Sequence, residues 1–311
     1  MTGVALLGGY AADAVVGDPR RFHPVAGFGR VALAAERVGY APSRGRGALY
    51  AAVLVAAAAL GAELAARAAQ RTRLGREGLL AVVTWGALGG RSLAREARRL
   101  DRYLEAGDVD GARSALPSLC GRDPGGMDER GLSRATVESV AENPADAVVG
   151  ALFWGAVAGP AGVAGYRAAN TLDAMVGHRS ERYASFGWAA ARLDDVLSWP
   201  GARLGAGLTA LLAPVVGGSP AATVRVIRRD GAAHPSPNAG RIEAAFAGAL
   251  DLRLGGPLAY GGRVEVRPAL GAGRAPERGD IERAVRLSAA VGAATALLAA
   301  VARAAIGRRR P

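Results

Sequence analysis

The chain has 311 residues, of which 50% are hydrophobic and only 5% aromatic. Its 39 basic residues are all arginine and outnumber 27 acidic ones, which gives a formal net charge of +12. The absence of lysine excludes a Walker A loop, a Schiff base and a Ser-Lys dyad. The arginines are scattered without aromatic platforms, so we expect no nucleic acid partner, and instead anionic lipid or phosphorylated substrates.

Charge-poor apolar stretches recur along the chain. Residues 1–17 lack the basic region and the cleavage site of a signal peptide, so we expect a retained hydrophobic segment. Further apolar stretches follow at 47–66, 78–90, 147–166, 204–224 and 287–302. A membrane-spanning helix needs about twenty residues, so 147–166 and 204–224 qualify, whereas the others are marginal.

Both long stretches contain helix breakers, Gly159-Pro160 in one and Pro214 with Gly217-Gly218 in the other. If each stretch crossed a membrane once, the neighbouring polar blocks would lie on opposite sides and could not share a site. We therefore predict that at least one stretch is broken, re-entrant or buried in protein. The arginine-rich segments 20–46 and 67–76 predict cytoplasmic flanks by the positive-inside rule.

Two regions between these stretches predict water-soluble structure. Residues 91–116 have the period of an amphipathic helix followed by a turn, with Leu93, Ala97 and Leu100 on one face. Residues 258–267 predict a small β-hairpin with Gly261-Gly262 as its tight turn. The predicted fold class is an all-α integral membrane protein with four to six hydrophobic helices, some broken or re-entrant, polar cytosolic loops and one multi-pass domain over 1–311.

The first polar motif precedes the stretch 147–166. Glu138 and Glu142 are four residues apart, so on a helix they share a face and can hold a divalent ion together. A second interpretation makes Asn143 the N-cap of a new helix, with Asp146 in its first turn. That interpretation explains Asn143 and Asp146 without a ligand but leaves the two glutamates unexplained, which favours a magnesium role for them.

The second motif, 170–195, combines amide, acidic, imidazole and guanidinium groups. Its candidate site residues are Asn170, Thr171, Asp173, His178, Arg182 and Asp195. A helix cap at 170–173 and a surface salt-bridge set around 178–182 are the alternatives. Adjacent residues of a helix point in different directions, so at most one of Asp194 and Asp195 is expected to be a ligand.

The third motif begins at Arg228 and continues into a loop rich in proline and glycine. Such a loop can present His234, Ser236 and Asn238 to a phosphate, although an ordinary turn remains an alternative. All three histidines of the chain lie in polar motifs, the first being His23. This placement fits a catalytic or phosphate-facing role better than a core role.

Taken together, these motifs resemble the adenosylcobinamide-phosphate synthases of cobalamin biosynthesis, the CobD/CbiB family. The resemblance covers nearly the whole chain and rests on GDPRRFHPV (17–25), VESVAENPADAVV (137–149), NTLDAMVGHRSERYASFGWAAARLDD (170–195), RRDGAAHPSPNAGRIEAAFAGAL (228–250) and LGGPLAYGG (254–262). One departure lies at Pro124, after Gly121-Arg122-Asp123, where we expect a threonine in the family.

The resemblance implies a multi-pass enzyme of the bacterial inner membrane with its active site on the cytoplasmic side. Such an enzyme joins aminopropanol, or its O-phosphate, to a propionate carboxyl of adenosylcobyric acid. Amide formation from a free carboxylate is uphill in water, so ATP and Mg²⁺ are expected. Membrane lipid and other cobalamin-assembly enzymes are the further partners that the resemblance implies.

With this chemistry in view, roles can be assigned to the motif residues as expectations. The catalytic candidates are Glu138, Glu142, His178 and His234. The magnesium candidates are Glu138, Glu142, Asp146, Asp173 and Asp195. The substrate or phosphate-binding candidates are Arg122, Asn143, Asn170, Thr171, Arg182, Arg228, Ser236 and Asn238. The alternative function is a corrinoid-binding membrane transport or scaffold protein without catalysis; the acidic residues at the ends of apolar segments favour the enzyme.

Overall fold

The computed structural model describes residues 3–19, 22–71, 73–178, 180–260 and 263–308, and it is mainly helical. The helices are α1 (Val4–Val16), α2 (Pro24–Gly39), α3 (Arg44–Ala68), α4 (Arg73–Ala87), α5 (Gly90–Glu105), α6 (Val109–Ala115), α7 (Glu129–Pro144), α8 (Ala151–Leu172), α9 (Tyr183–Phe186), α10 (Trp188–Leu212), α11 (Pro220–Asp230), α12 (Ala239–Leu250) and α13 (Gly279–Arg308). The strands β1 (Leu254–Tyr260) and β2 (Arg263–Leu270) form a two-stranded sheet.

The internal contacts divide the chain into two compact units. Unit 1 comprises Met1–Gly89, Asp146–Gly201 and Thr295–Pro311, and unit 2 comprises Gly90–Ala145 and Ala202–Ala294. The single domain over 1–311 stays a prediction, and each unit is described by itself below.

Unit 1 is built on closely packed helices. Helix α3 packs on α8, and α4 packs on both α1 and α8. Leu6, Leu80 and Leu152 lie in its main core, and each fully buried leucine stabilises the fold by about 1.5–3 kcal/mol. The backbones approach closely where glycine is present: a Cβ on Gly47 would lie 1.8 Å from the carbonyl oxygen of Phe186.

Helix α8 is broken in its middle. Gly159 has φ 65° and ψ −143°, a conformation that side-chain-bearing residues rarely adopt, and Pro160 follows it. The break disrupts the local helical hydrogen bonding, and the Arg303 guanidinium donates a hydrogen bond of 3.1 Å to the Gly155 carbonyl oxygen. The predicted break in the stretch 147–166 is therefore confirmed, with a side chain that compensates it.

Three helices in the described part of the chain are long and apolar enough to cross a membrane: Arg44–Ala68, Glu129–Gly177 and Gly279–Arg308. The stretch 204–224, which the sequence favoured as a crossing, is not one helix. Helix α10 ends at Leu212, Gly217 takes the left-handed conformation, and α11 starts only at Pro220. Conversely, 47–66 and 287–302 were predicted to be marginal and lie in helices long enough to span.

Helix α7 continues where the sequence allowed a new helix to begin. Pro144 lies at its last position, and a π-helix over Ala145–Gly150 follows directly. The interpretation of Asn143 as an N-cap is therefore wrong. Proline lacks the backbone N–H that α-helical bonding requires, so a change of hydrogen-bond register after Pro144 is the expected response.

Unit 2 combines helices with the small sheet. The amphipathic helix predicted over 91–116 is confirmed as α5, whose Ala97 and Leu100 are fully buried, although it ends at Glu105 and α6 follows. The hairpin is also confirmed, with Gly256 opposite Arg267 in an antiparallel register. It is longer than the predicted 258–267, and its turn at Gly261-Gly262 lies outside the described residues.

Candidate functional site

Unit 2 contains a buried group of opposite charges that we call the carboxylate–arginine cluster. Its members are Glu138 and Glu142 on α7, Glu243 on α12, Arg267 on β2 and Arg122 in the segment before α7. Arg122 Nη1 forms an ion pair with Glu138 Oε2, and both side chains are almost completely buried. Burying a charge costs free energy unless the charge is paired, so this buried ion pair indicates either a functional site or a contact that the fold requires.

Two features hold the Glu138 side chain in place: its spacing on α7 and a hydrogen bond from the backbone of a glycine. Because Glu138 and Glu142 are four residues apart on α7, they share a face, as the sequence predicted. The second oxygen of Glu138 accepts a hydrogen bond of 2.7 Å from the Gly255 backbone N–H. Gly255 has φ 84°, and a Cβ there would lie 2.2 Å from the Pro268 carbonyl oxygen, so a larger residue would displace this donor.

Glu243 completes the negative side of the cluster. Burial, followed by the charges of Glu142 and Glu138, raises the pKa of Glu243 well above its ordinary value of 4.5. The sequence assigned no role to Glu243 or Arg267, although Glu243 belongs to the same motif as His234.

His234 lies against the cluster and is 8% exposed. Its Nε2 is 2.9 Å from Arg267 Nη1 and 3.7 Å from Glu243 Oε1. Its Nδ1 accepts a hydrogen bond of 3.0 Å from the Ser236 backbone N–H. The predicted loop histidine is thus brought next to the carboxylates by the start of α12.

The other predicted residues of unit 2 have mainly structural contacts. Ser236 Oγ accepts a hydrogen bond from the Ala239 backbone N–H at 3.2 Å, which caps the start of α12. Arg203 donates to Asn238 Oδ1 at 2.6 Å, and Asn143 donates to the Leu119 carbonyl oxygen at 3.0 Å. Arg228 is exposed on α11.

Unit 1 contains a second buried group of polar side chains, which we call the Asn170 network. Its members are Tyr166, Arg167, Asn170, Asp194 and Ser198. Arg167 donates to the side-chain oxygen of Asn170, and Asn170 donates to Asp194 Oδ1 at 3.3 Å. Ser198 also donates to Asp194 at 3.3 Å and makes a 3.2 Å hydrogen bond with the Tyr166 hydroxyl.

The two adjacent aspartates on α10 differ in their surroundings. Asp194 is buried, and burial raises its pKa despite hydrogen bonds from Asn170 and Ser198. Asp195 faces the exposed Arg192 at 3.5 Å. The buried residue of the pair is therefore Asp194, whereas the magnesium candidate predicted from the sequence is Asp195. Asp195 stays a prediction.

Several predicted residues of unit 1 lie around this network. Asp146 interacts electrostatically with Tyr166 and Arg167. The Thr171 hydroxyl donates back to the Arg167 carbonyl oxygen at 2.7 Å. Asp173 packs against the backbone of Gly177, where a Cβ would lie 1.9 Å from its Oδ1.

The remaining predicted residues of unit 1 lie at a surface site. Arg182 pairs with the buried carboxylate of Glu36 at 2.9 Å and stacks 4.0 Å from the centre of the Tyr40 ring. The exposed His178 meets the Tyr183 ring edge-on, with ring centres 5.0 Å apart. The structure therefore distributes the predicted site residues over both units.

The carboxylate–arginine cluster is the better candidate for binding magnesium. Among the described residues there is no group of three or more His, Cys, Asp or Glu arranged to hold a metal by themselves. Mg²⁺ in enzymes commonly uses only one or two carboxylates, with substrate phosphates and water as its other ligands. Glu142, on the same face of α7 as Glu138, and Glu243 lie together with it, and among the described residues Glu243 Oε1 accepts no hydrogen bond, so carboxylate oxygens that fit such a shared ion are present.

The described residues contain helices that are long and apolar enough to cross a membrane and, in unit 2, a buried ionisable cluster. The family model described as CobD/Cbib protein matches residues 6–288, and the chain belongs to this family of cobalamin biosynthesis. The resemblance predicted from the motifs is thereby confirmed.

Named relatives support this membership. A protein of Mycobacterium tuberculosis (strain CDC 1551 / Oshkosh), named Cobalamin biosynthesis protein CobD, is 53% identical over 99% of this chain and 97% of its own. Proteins with the same name from Chromobacterium violaceum and Rhodobacter capsulatus are 44% and 43% identical, over 88% and 76% of this chain and 88% and 75% of theirs. No solved structure matches the chain.

Proposed function

We propose that this protein is an ATP-dependent ligase that forms an amide bond between aminopropanol, or its O-phosphate, and a propionate carboxyl of adenosylcobyric acid. The product is adenosylcobinamide or its phosphate. The observation that carries the proposal is the buried carboxylate–arginine cluster. The cluster combines carboxylates that could bind a cation with guanidinium groups that could neutralise phosphate, and a histidine lies beside them.

The bonds made and broken in the proposed reaction indicate what the side chains of the cluster would have to do. One carboxyl oxygen of the corrinoid leaves on a phosphorus atom of ATP, the amine nitrogen forms the new C–N bond, and one proton is released. An acyl phosphate and an acyl adenylate both satisfy this balance. When bound, Mg²⁺ supplies charge neutralisation at the phosphates and at the transferring group.

Glu138 and Glu142 are the residues that would hold this ion, because they share one face of α7. Arg122 and Arg267 supply planar guanidinium groups suited to phosphate oxygens and to the negative charge that develops as the carboxyl is activated. His234, which lies beside Arg267 and Glu243, would accept the proton of the attacking amine once the Arg267 guanidinium turns to a phosphate. In this account Glu243 takes up or releases a proton as the charge of the cluster changes.

We further propose that the chain is a single multi-pass protein of the bacterial inner membrane with its active site on the cytoplasmic side. Helix α3 supports this placement, because Leu49, Val53, Leu60 and Leu64 are each more than half exposed. An apolar face of this extent is unfavourable in water and favourable against lipid.

Mass spectrometry of a defined reaction tests the proposal. Detergent-purified protein is mixed with adenosylcobyric acid, aminopropanol O-phosphate or aminopropanol, ATP and Mg²⁺. The expected product is heavier than the corrinoid by one amine minus water and forms only with ATP. Corrinoid retention without product from either amine would contradict the ligase and favour the binding or transport function. Arg102→Gln, an exposed change on α5, serves as the matched active control.

A further inference from the structure

A positively charged cavity lies in unit 2, outside every residue assigned above to phosphate binding. Its volume is about 410 Å³, which is within the usual range of roughly 300–1,000 Å³ for small-molecule sites. Arginine side chains and glycine-rich backbone line it, with Arg130, Arg134, Arg253, Gly255 and Gly256 among the lining residues.

The three arginines have different surroundings. Arg134 is partly buried and is held by a hydrogen bond of 2.9 Å from its Nη2 to the Pro257 carbonyl oxygen. Its Nε is buried, and no hydrogen-bond acceptor for it is found among the described residues. Arg130 and Arg253 are exposed, so both can turn toward a ligand with little change to the fold.

Glycine keeps the wall of the cavity open. Gly256 has φ 97°, and a Cβ there would lie 3.1 Å from Arg134 Nη1. Any side chain at 256 would therefore strain the backbone and press on the guanidinium. This is a physical reason for the second glycine of the motif LGGP (254–257).

The cavity shares a wall with the carboxylate–arginine cluster. Gly255 lines the cavity, and its N–H donates to Glu138 Oε1 at 2.7 Å. The backbone of Gly255 therefore contacts both the cavity and the buried carboxylate of Glu138. The acidic lining residue Asp128 is already used as a cap, because its Oδ1 accepts a hydrogen bond of 2.8 Å from the Gly131 N–H.

We propose that this cavity binds the phosphate group of a phosphomonoester, namely the phosphate carried by the amine substrate; this rests on the proposed ligase function. Three guanidinium groups favour phosphate by charge and by geometry. Among the described lining residues the one carboxylate, Asp128, serves as a helix cap, whereas the cluster contains three carboxyl groups. The cavity therefore suits a phosphate that arrives without a metal, and the cluster suits the nucleotide.

Calorimetric titration of the full-length protein in detergent tests the site without turnover. The titrant is aminopropanol O-phosphate in the absence of ATP, and aminopropanol is the matched ligand without phosphate. The double variant Arg130→Gln/Arg253→Gln should bind the phosphorylated amine about tenfold more weakly or worse. Arg102→Gln removes an exposed arginine of the same unit and should bind as the wild type does. Equal affinity in the double variant would overturn the proposal.

Steady-state kinetics identify which substrate phosphate uses the cavity. The double variant should raise the KM for aminopropanol O-phosphate about tenfold and leave the KM for ATP unchanged. A rise in the KM for ATP alone would assign the cavity to the nucleotide and overturn the proposal. Absence of turnover in the wild type would refute the ligase function instead, while the titration would still decide whether the cavity binds the phosphate.

Discussion

The carboxylate–arginine cluster and the Asn170 network are both buried and polar, but they satisfy their charges differently. In the network, Asn170 and Ser198 both donate to Asp194, and Arg167 donates to Asn170, so the polar groups form a connected chain. In the cluster, three carboxyl groups face two guanidinium groups, and among the described residues Glu243 Oε1 accepts no hydrogen bond. Connected networks stabilise one structure, whereas a group of ionisable side chains with a strongly shifted pKa is typical of a functional site.

The largest effect is expected from Glu138→Gln. The change removes the charge that pairs with Arg122, and breaking such a buried ion pair costs about 3–5 kcal/mol, so stability should fall and ligase activity should be lost. Thermal unfolding and product formation measure the two effects. The double variant Arg122→Leu/Glu138→Leu removes both charges, so it should recover most of the stability but no activity. Recovery of activity in that variant would show that the pair is only structural.

A smaller effect is expected at the centre of the network. Asp194→Ala leaves the Asn170 amide without this acceptor, at a cost of about 1–3 kcal/mol, whereas Ser198 keeps the Tyr166 hydroxyl as a hydrogen-bond partner. Asp194→Asn keeps an acceptor oxygen and should be closer to the wild type in stability and activity. If Asp194→Asn abolished turnover while its unfolding temperature stayed unchanged, the network would be part of the active site.

The third prediction concerns pH and Glu243. The folded protein keeps a proton on Glu243 that the unfolded chain releases above its ordinary pKa of 4.5. Stability from this group is therefore fully present below pH 4.5 and is lost as pH rises through the raised folded-state pKa. The glutamine in the variant Glu243→Gln cannot ionise. The free energy of unfolding of this variant should therefore increase relative to that of the wild type as pH rises from 4.5 through the folded-state pKa of Glu243. Parallel unfolding curves against pH would contradict the raised pKa.

The smallest effect is expected from Asp195→Asn. Asp195 pairs with an exposed arginine, and surface ion pairs contribute about 0–1 kcal/mol, so the unfolding temperature should barely change. The comparison with Asp194 is sharp because the two residues are adjacent on α10. A magnesium role for Asp195 would instead appear as a higher Mg²⁺ requirement for turnover at unchanged stability.

Much of the local structure follows from sequence patterns. The α5 helix, the hairpin around β1 and β2, and the break at Gly159-Pro160 all come from short-range preferences of apolar spacing, glycine and proline. The prediction that 204–224 forms one membrane-spanning helix was wrong, because it used only the length and composition of the apolar stretch. In the structure α10 ends at Leu212, and a turn that includes Gly217 follows. Likewise, the N-cap interpretation of Asn143 rested on the sequence Asn143-Pro144, which also occurs here at the end of a helix that continues into a π-helix.

The sequence by itself determined the family, the motif residues and the shared face of Glu138 and Glu142, because motif spacing and helical period are local properties. Tertiary structure alone decided that Glu243 and Arg267 join those glutamates, and that Asp194 is buried while Asp195 is not. The reason is physical: burial and neighbouring charge depend on residues more than a hundred positions apart, as Gly255 and Glu138 illustrate, and spacing along the chain does not encode them.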